Sequence, residues 1–551
     1  MSRSNSGPRA VIIGLDGATF NFIKPLIVKN ELPFFQRLMS DGSYGVLDSD
    51  LPVNSAANWT SLFTGKNPGK HNIFDYLAYD NSSYQARLIT NQSLKSHQLW
   101  NIANQNDLRT ILINAPVASA PEPLNGIMVS GLLTPSTGQY AYPEAMVHEL
   151  ESDNYLIDSG SARRLDAGQY YDQIMKTLVK QEETFQKLIN DHHWDLAILT
   201  LNALGKAQHD FWLDNEKIEA LYRQIDSFLN RIFKSIDEET YFIIVSHHGF
   251  KSVTKKFFVN EWLWERGLLK KAITINQSRL TDVNDIIFNH VDQNSNLLTQ
   301  FFAKTGITKD HIRSFIPEFI TESFKRFVPW SIKKYFPREY LDIDWSKTRA
   351  YFVSANVQGI NINLKGREPQ GIVREGAEYE RLRDRIIAEL YRLKDPYTLE
   401  DVVDEIYRRE DVFKGDYVKS APDIVFAPHQ YDYYPDPNKR TCRLVIGAAI
   451  DDYPVYSYHE PRGIFFISGP DIKRGNQIAN IDIYDVAPTV LHLFDISKPA
   501  DMDGRVLNSI FQGMSEYGRS RQPFFLPYED RYPLISEEHF NRQPIFNPAT
   551  P

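Results

Sequence analysis

Unbroken apolar runs that stop abruptly at polar residues recur along this chain. The first is Ala10-Val-Ile-Ile-Gly-Leu15, followed by Asp16-Gly17-Ala18. Asp195-Leu-Ala-Ile-Leu-Thr200 and Tyr241-Phe-Ile-Ile-Val-Ser246 repeat the layout, with Gln208-His209 after the first and His247-His248-Gly249 after the second. Gly463-Ile-Phe-Phe-Ile-Ser-Gly469 is a further run, with His459 just before it. A strand that is apolar at successive positions is buried on both faces, as in a parallel sheet covered by helices. Helical periodicity over 169–191 and 215–236 supplies such helices. The alternation predicts an α/β fold with a doubly wound, mainly parallel sheet. Ligands of such sheets bind at the carboxyl ends of the strands.

Two stretches break the alternation. Residues 266–345 show helical pattern with many charges and aromatics and no buried strand, which predicts a helical insertion. Residues 366–440 read as helix and Pro/Tyr-rich loop, including Tyr431-Asp-Tyr-Tyr-Pro-Asp-Pro437, and predict a second cap-like insertion. The core is then 8–265 together with 346–510, and 511–551 is a C-terminal extension rich in Arg, Pro and Phe. Tyr431, Tyr433 and Tyr434 offer rings that suit either stacking on a ligand or ordinary packing. A chain of 551 residues is long enough for a large core with insertions of this size.

Composition narrows the classes. The net charge of -9, from 61 basic and 70 acidic residues, argues against a surface for nucleic-acid polymers. Cys442 is the sole cysteine, so no intramolecular disulfide is expected, and it is given no role. The opening Met1-Ser-Arg-Ser-Asn-Ser-Gly-Pro-Arg-Ala10 lacks the apolar stretch of a secretory signal, and no run of about 18 apolar residues occurs. No membrane span is expected, and a cytoplasmic location is.

Asp16, His209, His247, His248 and His459 all fall beside predicted strand ends. Carboxylate and imidazole are ligand types for zinc, manganese or iron. Each residue taken singly reads as well as a hydrogen-bonded structural group. His71, His192 and His193 are read as structural. Leu51-Pro-Val-Asn-Ser55-Ala-Ala-Asn58-Trp-Thr places Ser55 in a small-residue turn before a helical pattern that starts at Asn58. A hydroxyl there stands where a helix N-terminus favours an anion such as phosphate, or serves as a plain N-cap.

Gly14-Leu-Asp16-Gly-Ala resembles the first metal-binding Asp motif of the alkaline phosphatase superfamily. Ser55-Ala-Ala-Asn58-Trp-Thr-Ser-Leu-Phe-Thr-Gly65-Lys-Asn-Pro-Gly-Lys-His71-Asn-Ile-Phe-Asp75 resembles the nucleophile helix of its type I phosphodiesterase/nucleotide pyrophosphatase branch. Gln208-His209-Asp-Phe-Trp212, Ser246-His247-His248-Gly249-Phe250 and His459-Glu-Pro-Arg-Gly-Ile464 resemble its later metal-binding segments. The likeness spans about residues 10–510. It implies the alkaline phosphatase-like fold, with Ser55 as metal-bound nucleophile and Asn58 contacting the transferred phosphoryl oxygens. It also implies Asp16, Ser55, His209, His247, His248 and His459 as metal ligands.

The family's two metal sites are altered here. His247 stands where one has Asp, and Gly205 stands where the other begins its Asp-x-x-x-His motif, so Gly205 offers no side-chain ligand. Asp16, His247 and His248 remain a three-ligand set; His209 and His459 alone make a weak one. The resemblance implies a divalent ion, zinc first with manganese or iron as alternatives, in one or two copies. The expected function is metal-dependent hydrolysis or transfer at a phosphodiester, pyrophosphate or related ester of a small molecule, through a Ser55-linked intermediate. The rivals are a repurposed single-metal enzyme with another reaction and a pseudoenzyme that binds a phosphorylated ligand.

Overall fold

The computed structural model describes residues 7–513 apart from 81–83, 118–119, 132, 135–138, 161–165, 273–342, 438–444 and 450–454. Most of the insertion expected at 266–345, Cys442, and the extension from residue 514 onward lie outside the described residues.

The apolar runs form the middle of a nine-stranded sheet. In chain order its strands are β1 (Arg9–Leu15), β2 (Ser43–Asp48), β3 (Thr110–Ala115), β4 (Gly126–Ser130), β5 (Ala141–Tyr142), β6 (Leu196–Leu201), β7 (Thr240–Ser246), β8 (Arg462–Ser468) and β9 (Asn476–Asp482). Their order across the sheet is β9-β2-β8-β7-β1-β6-β3-β4-β5. β1 pairs in parallel with both β6 and β7, and β3 with both β6 and β4. β8 runs antiparallel between β7 and β2, and β5 antiparallel to β4. The sheet is therefore mainly parallel, as expected.

Alternate residues of β1 face opposite layers, which is why the run had to be apolar throughout. Val11, Ile13 and Leu15 pack with Ile174, Leu178 and Phe185 of α2 (Ala167–Asp191) and with Leu221, Ile225 and Phe228 of α4 (Asn215–Ser235). Ala10 and Ile12 pack with Trp59, Leu62 and Phe63 of α1 (Ser55–Thr64) and with Val490 and Leu491 of α5 (Val486–Leu493). Each buried aliphatic or aromatic side chain contributes about 1.5–3 kcal/mol, so the two layers clamp the sheet firmly. A fifth helix, α3 (Ala203–Phe211), leaves β6 directly at the sheet's carboxyl edge.

The orientation of β8 was not evident from its pattern. Being antiparallel, it brings its amino end to the edge where β1, β6 and β7 end. His459, which precedes it, therefore meets His247 and His248, which follow β7. A short ribbon fixes that meeting: Gly249–Ser252 pairs antiparallel with Ser457–Glu460, with Phe250 opposite His459.

The stretch 366–440, expected as helix and loop, contains the helix Ala377–Leu390 but also strands. A four-stranded antiparallel sheet takes the order Ala350–Phe352, Gly359–Ile362, Ile424–Pro428, Val403–Arg408. Its strands are short, and Val403-Asp-Glu-Ile-Tyr-Arg408 buries only Val403 and Ile406, which hid it from a periodicity reading. This sheet, the helix and the segment around Trp262 share their own apolar cluster. Among the described residues no helix is long and apolar enough to cross a membrane.

Candidate metal and nucleophile site

At the end of β1 the Asp16 N–H still donates to the Leu201 carbonyl at 2.8 Å, so its carboxylate is set at the sheet edge by the strand pairing itself. Gly17 follows with φ +79°. A Cβ there would stand 2.6 Å from the Phe250 ring and 2.8 Å from the Gln208 amide, so the turn needs glycine on both counts. That amide donates to the Gly17 carbonyl at 2.8 Å, tying α3 to the end of β1.

The helix α1 starts three residues before Asn58. Asn54 is its N-cap, accepting from the Ala57 N–H at 3.0 Å, so Ser55 is the first helical residue and its hydroxyl is released from capping. Ser55 Oγ lies 3.4 Å from Asp16 Oδ2 and 3.2 Å from His248 Nε2. The other ring nitrogen of His248 faces the Gly249 carbonyl at 3.2 Å. A carbonyl only accepts, so Nδ1 carries the proton and Nε2 turns a lone pair toward Ser55. His459 is set the same way, with Nδ1 3.2 Å from the Val53 carbonyl and Nε2 3.0 Å from His209 Nε2.

His247 is fully buried between Trp59, whose ring centroid is 4.2 Å away, and His248, at 3.9 Å. Neither of its ring nitrogens has a hydrogen-bond partner among the described residues. Buried polar atoms are rarely left so, and the pair asks for a ligand. The ligand atoms of Asp16, His247 and His248 all lie within 4.8 Å of one another. Burial pushes the Asp16 carboxyl up to about 7, against the lowering pull of Ser55 and Lys206. Burial brings His209 down to about 4 and drives His247, His248 and His459 well below the ordinary imidazole value, their neighbouring imidazoles adding to it. All four rings are neutral near pH 7, the state in which imidazole binds a metal.

Five expected residues plus Ser55 thus share one cleft. Asn58 does not face it in the same way. Its amide donates to the Asp50 carbonyl at 3.2 Å and accepts from the Asn54 N–H at 2.8 Å, so it serves the start of α1. His71 lies apart, bonded to Ser61 Oγ at 3.0 Å and to the Ile73 N–H at 3.1 Å.

Two neighbours were not singled out from the sequence. Tyr76 brings its buried hydroxyl beside Ser55, and burial with Asp16 nearby keeps that phenol protonated. Its position directly after the Ser55–Asp75 motif was the available signal. Lys206 follows Gly205, its ammonium held by Asp158, by Ser159 Oγ and by the Gly160 carbonyl.

The sequence matches the type I phosphodiesterase / nucleotide pyrophosphatase family over residues 10–462. The chain belongs to that family.

Solved structures support the corresponding fold. Phosphonoacetate hydrolase from Sinorhizobium meliloti 1021, in complex with phosphonoformate, superposes with a TM-score of 0.54 at 13% identity, covering 89% of this chain and 96% of that one. An alkaline phosphatase PafA mutant gives a TM-score of 0.50 at 13% identity, covering 92% and 100%. No curated protein matches the sequence. At these identities the likeness is one of fold, that of the alkaline phosphatase superfamily.

The residues present fit one divalent ion of this phosphodiesterase family better than two. Asp16, His247 and His248 converge, and the orphaned nitrogens of His247 await a ligand. The second half lacks its carboxylate, and the space is filled. A Cβ built on Gly205 would stand 2.7 Å from Asp16 Oδ1 and 3.0 Å from its carboxyl carbon. Asp16 leans on the position from which a second ligand would have come.

Proposed function

We propose that this chain is a metal-dependent hydrolase or transferase that acts on a phosphodiester, pyrophosphate or related ester of a small molecule, with Ser55 as nucleophile. The observation that carries the reading is the placement of the Ser55 hydroxyl. It sits at the first residue of a ten-residue helix, between Asp16 Oδ2 and His248 Nε2, at the edge of the sheet.

In this reading the N-terminus of α1 draws the anionic phosphoryl group toward Ser55 with its free N–H groups and the helix dipole. As Ser55 Oγ forms its bond to phosphorus, the bond from phosphorus to the leaving oxygen breaks, and the hydroxyl proton passes to a flanking acceptor, Asp16 or solvent. Water or another hydroxyl then displaces Ser55 and completes hydrolysis or transfer. The neutral Tyr76 phenol donates toward the reacting oxygens, a role better suited to it than to the committed Asn58 amide. Asp16, His247 and His248 would hold a divalent ion, zinc before manganese or iron, which supplies Lewis acidity and lowers the pKa of the serine hydroxyl. The stretches 266–345 and 366–440 are read as the cover over this edge.

The filled space at Gly205 favours a second reading within the first: a one-ion enzyme whose reaction has diverged from the family's. Elemental analysis with a panel of nitrophenyl phosphate monoesters, diesters and sulfates tests both. Metal-dependent turnover of an ester that disappears in Ser55→Ala supports the proposal, and one ion per chain selects the diverged form. Protein that binds no metal and turns over none of the panel would leave a phosphate-binding pseudoenzyme instead.

A further inference from the structure

Beside the metal centre the fold encloses a separate cavity of about 260 Å³, to which neither Ser55 nor any of the candidate metal ligands contributes. It lies between the segment that follows the nucleophile helix and the four-stranded cap sheet. At about 30 Å³ per water, it has room for a single substituted ring.

Its walls are specific. Tyr84 and Trp345 stack with ring centroids 3.9 Å apart, and Tyr351 stands edge-on to Trp345 at 4.9 Å. These rings give the cavity a largely aromatic side. Aromatic groups bind such walls through offset-stacked and edge-to-face contacts. The remaining wall is partly polar, and several of its polar groups are already used. The Arg367 guanidinium is spent on Glu368, Asp423 and the Ile362 carbonyl. Two of the lining groups left unused matter here. The half-buried Asn361 amide and the Lys419 ammonium make no side-chain hydrogen bond or ion pair among the described residues. Aromatic walls with a few unmet polar groups that fix orientation are a common form of small-molecule site.

We infer that this cavity is a binding site for a planar aromatic anion, a single ring carrying one carboxylate or phosphate. The ring lies against Tyr84, Trp345 and Tyr351, and Asn361 hydrogen-bonds a ring substituent. Lys419, at the mouth, takes the negative charge. The Asp75 carboxylate in the lining already accepts from the Tyr76 N–H, Ser354 Oγ and the Asn356 amide, so the Lys419 ammonium is the charge left unmet. A cationic ligand would meet that lysine, and an aliphatic anion would leave the ring faces unused.

The floor connects to the metal centre. Asp75 accepts from Ser354 Oγ at 3.0 Å and from the Asn356 amide at 3.3 Å. Asn356 in turn accepts through Oδ1 from the Tyr458 hydroxyl at 2.8 Å and through its carbonyl from the Asn54 amide at 3.0 Å. Tyr458 stacks on His459 at 4.6 Å, and Asn54 caps α1. An occupant pressing on Asp75 therefore bears on a chain that ends at His459 and at the start of the nucleophile helix.

The test is a titration of the full chain with 4-fluorobenzoate followed by ¹⁹F NMR, with saturating inorganic phosphate present to block the metal centre. Neither turnover nor Ser55 enters the readout, so the outcome is independent of the function proposed above. Saturable binding of one equivalent is expected. It should weaken by about tenfold in Ala78→Trp, which fills the cavity from an exposed position, and by several-fold in Lys419→Ala. Absence of saturable binding up to about 10 mM overturns the inference. So does binding that neither variant alters.

Discussion

Asp16, His247 and His248 form one half of the site; His209 and His459 form the other. Both are built from neutral imidazoles at one sheet edge, buried except for the more exposed His209, and both were implied by the same family motifs. They differ in what surrounds them. The first half keeps a carboxylate and two ring nitrogens on His247 that have no hydrogen-bond partner among the described residues. In the second, the imidazoles already face one another at 3.0 Å, and the missing ligand's space is occupied by Asp16. The Asp16 carboxylate stands where a side chain on Gly205 would begin, so the two halves have a single carboxylate between them.

The hardest test of this contrast is Ser55, whose hydroxyl the first half flanks. Ser55→Ala should remove nearly all turnover while leaving the thermal transition within a few degrees of the parent, since covalent catalysis has no substitute for its only hydroxyl. Activity at the parent level would show that neither half acts through Ser55. Next comes metal content. His248→Ala should lower bound metal to about a tenth of the parent's, because two remaining ligands hold an ion poorly, whereas His209→Ala should leave most of it. Equal losses in the two variants, measured by elemental analysis after dialysis, would erase the distinction between the halves.

Gly205 sharpens it further. Gly205→Ala should weaken metal binding about tenfold, since the new methyl displaces the Asp16 carboxylate without adding a donor. Gly205→Asp carries the same steric load but restores a ligand, so it should bind metal more tightly than Gly205→Ala. Matching affinities would mean that ligand count is not what separates the halves.

The smallest effect concerns pH in metal-free protein. Burial lifts the Asp16 carboxyl from its ordinary 3.8 to about 7 in the fold. For an acid raised on folding, the unfolded state ionises first, so its drag on stability is absent below 3.8 and grows until about 7. Asp16→Asn should then gain stability over the parent by roughly 1–3 kcal/mol between pH 4 and pH 7, then level off. Denaturant midpoints that stay parallel across that range would show that Asp16 is not held protonated.

Much of this was legible from residue order. The continuous runs at Ala10–Leu15, Leu196–Leu201 and Tyr241–Ser246 could only be doubly covered strands, and the polar residues at their ends marked the edge where the cleft lies. What stayed hidden depends on direction rather than identity. The antiparallel course of β8 is decided by which neighbours it pairs with, not by its own composition. The Val403–Arg408 strand is half polar and short. Asn58 carries the right side chain for a phosphoryl contact, yet its amide turns back to Asp50 and Asn54. Tyr76 reads as the tail of a motif until the fold turns its hydroxyl toward Ser55. That Asp16 would lean on Gly205 follows from packing that one sequence does not display.

The placement of β8 also bears on how the molecule assembles. Among the described residues it is the strand that joins β2 and β9 to the rest of the sheet, and it comes from residues 462–468, late in the chain. His209 meets His459 across 250 residues of sequence. Closing so long a loop costs entropy before any contact repays it, which slows folding. A chain emerging from synthesis therefore carries Asp16, Ser55, His247 and His248 well before their last partner arrives. Until β8 inserts, β2 has an open edge and α1 lacks part of its support. The complete cluster of side chains at this edge is thus among the last features to form, so its presence reports that the sheet has closed.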